Sequence, residues 1–207
     1  EFAQTIDRQK SARVVLLRGA GDVFCAGGDL DWMKVQINAD RAGRMAEARK
    51  LAHMLQVMNE LPLPMIGAVH GGAFGGGIGM ACVCDVVIAA SGTKFGLTET
   101  RLGLIPATIS PYVVARMGEG KARRVFMSAR IFSAAEAQAL DLIADQVPAA
   151  QLEARIEAEI APYLKVAPGA VAASKSLARE LGPRIDAEVI EETVKRLADT
   201  WEGVEAK

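Results

Sequence analysis

Two apolar runs without polar alternation, Arg13 to Arg18 (RVVLLR) and Met65 to His70 (MIGAVH), each open directly into a glycine-rich stretch. An unalternating run suits a strand covered on both faces, so the chain must place layers on either side of these segments. GAGDVFCAGGD follows the first run, GGAFGGG follows the second, and a third run, Val86 to Ala90, leads into SGTKFG. The predicted recurring unit is strand, glycine-rich loop, helix. Between the first two units, Met45, Ala48, Leu51, Ala52, Leu55 and Met58 recur at helical spacing across 41–61, and Pro62 and Pro64 stop that helix before the next strand. The layout is α/β.

After Pro111 the pattern changes to helix upon helix, with helical segments predicted over 112–118, 119–129, 133–141, 149–165, 169–181 and 186–201 and few strand signals. Ser133 and Glu136 form a capping box at one helix start. In the last segment Val189, Ile190, Val194, Leu197 and Trp201 make a wide apolar stripe, suited either to a subunit interface or to packing on its own chain.

Lysine and arginine (24) nearly cancel aspartate and glutamate (25), which leaves no broad basic field for nucleic acid or an anionic membrane. No run approaches the ~20 apolar residues of a membrane span, and EFAQTIDRQK lacks a signal peptide's apolar stretch, so a soluble, cytoplasmic protein is expected. Cys25, Cys82 and Cys84 lack zinc-ligand spacing and read as reduced core thiols, and no metal site is expected.

The glycine cluster from Gly71 to Gly79 fits neither nucleotide loop. No start satisfies G-x-G-x-x-G, and no lysine follows Gly76 as the Walker pattern requires. No serine is flanked as G-x-S-x-G either. What remains is bare backbone at a helix start near Gly76 or Gly77, whose first N–H groups are unsatisfied and positively polarised. The FCAGGD loop offers a second N–H from the neighbouring strand end, and two converging amides make an oxyanion hole.

FCAGGDLDWM resembles the crotonase loop F-x-A-G-x-D followed by Leu or Ile. HGGAFGGGIGMACVCDVVIAA resembles that superfamily's second signature, and KFGLTETRLGLIP resembles the third, F-G-x-x-E-x-x-x-G-x-x-P, in the same order and spacing. The likeness continues through GEGKARRVFMSARIFSAAEAQALDLIADQV, and GLIPATISP with DLDWM is most similar to the methylglutaconyl-CoA and isohexenylglutaconyl-CoA hydratase branch of leucine and acyclic terpene breakdown.

This resemblance implies a crotonase-type ββα spiral core over 1–130 and a helical C-terminal region over 131–207 that serves oligomerisation. It also implies that the family's first strands and coenzyme A loop would precede Glu1. The amides of Gly28 and Gly76 would hold the thioester oxygen. Ala26, Asp29, Leu30 and Asp31 would line the coenzyme A side, with Phe74 and Ile105 near the acyl pocket. Glu99 falls on a catalytic glutamate, whereas the second glutamate of two-carboxylate hydratases is replaced by Gly79, which cannot move a proton. The apolar neighbours Phe95, Leu97, Leu102 and Leu104 would raise the Glu99 pKa and suit it to acid/base work.

The expected reaction is reversible hydration of a 2-enoyl-CoA, with no metal or redox cofactor, by a homotrimer or dimer of trimers. Double-bond isomerisation of an enoyl-CoA is the rival, since one carboxylate suffices for it. A non-catalytic acyl-CoA-binding or scaffold protein is the alternative of another class. His70 is expected to hydrogen-bond locally, His53 to pack within its helix, and Met45, Met54 and Met58 to be ordinary helix packing.

Overall fold

The computed structural model describes residues 5, 6 and 11–206 of the chain. The leader reading of residues 1–10 falls mostly outside the described residues. In chain order the elements are β1 (Val15–Arg18), α1 (Leu30–Asn38), α2 (Arg41–Asn59), β2 (Met65–Val69), β3 (Gly72–Phe74), α3 (Gly76–Cys82), β4 (Val86–Ala90), β5 (Lys94–Gly96), α4 (Ser110–Met117), α5 (Glu119–Phe126), β6 (Ile131–Ser133), α6 (Ala134–Ala139), β7 (Asp145–Val147), α7 (Leu152–Ile160), α8 (Pro168–Leu181) and α9 (Ala187–Trp201). A 3₁₀ turn spans Glu99–Leu102.

β1, β2, β4 and β7 form a parallel sheet in the order β1-β2-β4-β7. Every residue of β2 is buried, as the unalternating run requires of a central strand covered on two faces. One face turns Val69 and Val87 into the main core, where Leu55 of α2, Ile78 of α3 and Phe95 of β5 also lie, and the other packs Ile66, Ala68, Ile88 and Ala90 against Leu152 and Ile156 of α7. A second, smaller sheet orders β3-β5-β6, with β3 and β5 parallel and β6 antiparallel to β5.

The second sheet departs from the sequence expectation. The third glycine-rich stretch returns as strand β5 rather than leading into a helix, and GGAFGGG itself contains β3. β6 and β7 fall in the segment where few strand signals stand, so strand pairing crosses residue 130. Each of these strands is three residues long, too short to display a period of two, and is fixed by its partner rather than by its own pattern.

Helix starts follow local chemistry. The Asp29 carboxylate accepts from Trp32 N at 2.8 Å to begin α1, and Asp40 accepts from Gly43 N at 2.7 Å to begin α2. Ser133 Oγ accepts from Glu136 N at 3.2 Å, which is the backbone-capping half of the predicted box. Asp186 caps α9 through Glu188 N and Val189 N, both at 3.1 Å. The apolar stripe of α9 resolves in favour of its own chain: Ile190, Val194 and Leu197 pack on Met45, Ala48 and Ala52 of α2.

Cys82 and Cys84 are buried free thiols, and burial pushes both up to about 12. Cys25 is a half-buried free thiol that packs against the edge of the main core and also lines the wall of a cavity. His70 bonds Gly21 O at 2.8 Å, as expected of a local contact, but His53 is exposed rather than packed. No helix of the described residues is long and apolar enough to cross a membrane.

Candidate active site

The FCAGGD loop is held against β3 by backbone bonds. Cys25 N donates to Gly72 O at 3.0 Å, and Phe74 N donates to Cys25 O at 3.1 Å. β3 runs straight into α3 through Gly75, whose φ of 50° is a left-handed turn that favours glycine. A Cβ on Gly77 would lie 2.6 Å from Cys25 Cβ, so the α3 start and the first loop touch across bare backbone. A Cβ on Gly76 would meet nothing within 4 Å, so that residue faces open space.

That space is a cavity of about 650 Å³, and both Gly28 and Gly76 line it. Neither amide donates a hydrogen bond within the described residues. An unsatisfied N–H at a helix start is a ready donor to an anionic oxygen.

Glu99 lines the same cavity, at the start of the 3₁₀ turn. Its Oε1 lies 3.0 Å from where a Gly75 Cβ would stand, beside the α3 start. Its Oε2 is buried with no hydrogen-bond partner, and it makes no ion pair with Arg101. Burial therefore raises the Glu99 pKa above the ordinary carboxylate range, opposed only by a hydrogen bond from its own backbone. A buried acid held without a charged partner is an unusual expenditure of stability and marks a functional candidate.

The absence of a second glutamate has a steric counterpart. A Cβ on Gly79 would lie 2.3 Å from Ile109 Cγ2 and 2.8 Å from Ile109 Cβ, so the isoleucine occupies that side of α3. Among the described residues, no group of three histidine, cysteine or acidic side chains is placed to hold a metal.

Of the residues singled out in the sequence, Ala26, Gly28, Asp29, Leu30, Gly76, Glu99 and Ile105 are brought together on this one cavity. Asp31 and Phe74 are not. The Asp31 carboxylate is exposed and pairs with Lys34 at 2.7 Å, pointing along α1 rather than into the site. Phe74 packs against the bare faces of Gly27, Gly72 and Gly96, behind the loop instead of in the acyl space. The Asp29 carboxylate is engaged in capping α1, so it borders the cavity through a committed side chain.

The far wall was not anticipated. Glu47, Lys50, Leu51 and Met54 of α2 and Leu197 and Trp201 of α9 close the cavity, so Met54 is more than ordinary packing. The spacing of 47, 50, 51 and 54 is one helical face and could have signalled a shared surface, but not which surface it meets. At the rim Trp32 Nε1 donates to Glu47 Oε2 at 3.4 Å, and Lys50 pairs with Glu47 at 2.5 Å. These contacts hold the Glu47 carboxyl below its ordinary range, the Lys50 bond first.

The chain matches the family model described as enoyl-CoA hydratase/isomerase over residues 2–202. It is 35% identical over 130 residues to an enoyl-CoA hydratase of Alternaria alternata, covering 63% of this chain and 42% of the relative. It is 34% identical over 136 residues to the mitochondrial methylglutaconyl-CoA hydratase of Homo sapiens, covering 65% of this chain and 39% of that protein. These matches thus span about two fifths of the curated relatives' length. The crystal structure of an enoyl-CoA hydratase from Shewanella pealeana superimposes with a TM-score of 0.85 at 35% identity, over 99% of this chain and 77% of that one. The fold is crotonase-type, and with its model match running over nearly the whole sequence the chain belongs to the enoyl-CoA hydratase/isomerase family.

Proposed function

We propose that this chain carries the site of an enoyl-CoA hydratase that adds water reversibly to a 2-enoyl-CoA, with Glu99 as the one acid/base carboxylate. The observation that carries this reading is the Glu99 carboxyl beside the α3 start, its Oε2 buried without a hydrogen-bond partner, in one cavity with Gly28 and Gly76. The thioester oxygen accepts from the Gly28 and Gly76 amides. Charge grows on that oxygen as the enolate forms, so the donors stabilise the transition state more than the ground state. Glu99 takes the proton from water and returns one to the α-carbon. The step forms a C–O bond at the β-carbon, consumes the alkene π bond and moves protons, with no net change of oxidation level, so it calls on no metal or redox group.

A branched glutaconyl-type acyl group is supported by the GLIPATISP and DLDWM likeness and by the methylglutaconyl-CoA hydratases among the relatives. Double-bond isomerisation remains a second reading because Ile109 fills the place beside Gly79, and one carboxylate is enough to move a proton between α- and γ-carbons. Assembly as a trimer or dimer of trimers belongs to the same family-based proposal.

Incubation with crotonyl-CoA should remove the absorbance of the conjugated thioester, whereas a 3-enoyl-CoA should gain it only if isomerisation occurs. Glu99→Gln should lower turnover by roughly 10²- to 10⁴-fold with acyl-CoA affinity nearly unchanged. Full activity in that variant would remove Glu99 from the chemistry.

A further inference from the structure

With Gly79 in place of a second carboxylate, the water that adds to the β-carbon lacks the group that would fix it opposite Glu99. The cavity offers few replacements. Asp29 is committed to its helix cap, and Glu47 is tied to Lys50 and Trp32 at the rim. Among the polar residues of the interior, Thr93 hydrogen-bonds Val69 O at 3.4 Å and Gln36 does not line this cavity.

Two threonines of the described residues, Thr98 and Thr108, line the cavity with Glu99, and Thr108 is the more deeply buried. It is 6% exposed, it lines the cavity with Glu99, and its hydroxyl makes no hydrogen bond within the described residues. That oxygen is not among the buried atoms left without a partner, so it is open to the cavity and within reach of a polar occupant there. Its position follows from α3. One face of that helix meets the Glu99 carboxyl at Gly75 and Ile109 at Gly79, four residues on. Such residues are separated by about one helical turn, roughly 5–6 Å. Thr108 precedes Ile109 in the turn that runs from Glu99, anchored by Leu104 N donating to Glu99 O at 3.2 Å.

We propose that Thr108 is the positioning residue for the added water, its hydroxyl holding that water in the cavity while Glu99 takes the proton. This rests on the hydratase reading above. In the step, the water oxygen bonds to the β-carbon and the alkene π pair moves toward the α-carbon and the thioester oxygen as an enolate. Glu99 accepts the water proton and delivers a proton to the α-carbon, so the product is the substrate plus one water. Thr108 gains and loses no proton overall.

The test compares hydration of crotonyl-CoA with a reaction that needs Glu99 and the oxyanion amides but no added water: exchange of α-protons of butyryl-CoA with deuterium oxide. In Thr108→Val, hydration should fall by about 10- to 100-fold while exchange stays within about twofold, and Thr108→Ser should recover most of the hydration. Thr108→Ala, which relieves any crowding by the valine, should show the same split. Equal loss of both reactions would reduce Thr108 to a structural role and overturn the proposal, as would hydration unchanged in Thr108→Val. Wild-type protein that exchanges but does not hydrate would also overturn it while leaving the Glu99 site intact. Wild-type protein that does neither removes the hydratase reading itself.

Discussion

Glu99 carries its cost in its own environment. Because burial raises its folded-state pKa, the native chain holds the proton more tightly than the unfolded chain does. The associated stability is fully present below the unfolded carboxyl value, near 4.5, and is lost as pH rises through the raised folded value. Glu99→Gln keeps the shape without the charge, so it should melt above wild type at pH 8 by a few degrees, with the gap closing near pH 4; about 1 kcal/mol corresponds to roughly 2–4 °C for a chain of this size. Thermal melts at the two pH values check this, and a gap independent of pH would exclude burial of the charge as its origin. The motif made Glu99 legible because its spacing is local in sequence. Thr108 was not legible, since nothing in the sequence distinguishes a hydroxyl facing a cavity from one satisfied by a carbonyl, as Thr93 is.

Among the helices, α8 depends most on a few polar ties. None of its residues is fully buried, yet Lys175 Nζ reaches Asp85 Oδ2 at 2.7 Å and Leu63 O at 3.0 Å. The same Asp85 oxygen accepts from Met65 N at 2.7 Å, so the junction joins the helix to the start of the central strand β2. The Lys175 side chain is only 11% exposed, which sets this pair apart from surface pairs such as Arg49–Glu191. Lys175→Met should destabilise the chain by about 1–3 kcal/mol, because Leu63 O and Asp85 lose a donor in a shielded place. Urea midpoints would read the loss, and cleavage within α8 by a protease should quicken in parallel. A variant with an unchanged midpoint would show that the Lys175 junction does not hold α8, leaving its apolar contacts and the Arg179–Glu60 pair. Helicity in 169–181 was legible from periodicity, but the docking was not, since Lys175 and Asp85 lie 90 residues apart.

Across the whole molecule, the final helix completes a cavity whose other walls come from residues 25–109. Trp201 is 8% exposed, lines the cavity beside Leu197, and lies with its ring 5.7 Å from the Arg44 guanidinium. Trp201→Ala should cost about 3–5 kcal/mol through the void it leaves, and it should raise KM for acyl-CoA more than it lowers kcat, because the indole shapes the wall and not the proton path. Trp201→Phe should recover most of both. Steady-state kinetics with thermal melts on the two variants checks this; a loss confined to kcat would place the ring in the chemistry instead.

The sequence by itself determined the central parallel strands, the α2 and α9 stripes, the glycine helix start and the candidate acid, because each is written in contiguous residues as a period, a cap or a motif. Tertiary structure alone decided the three-residue strands of the second sheet, the turning of Phe74 away from the cavity, the filling of the Gly79 side by Ile109, and the return of α9 over the site. Each of those depends on which distant surface a residue meets, and that is set by packing the whole chain around one core rather than by any local preference.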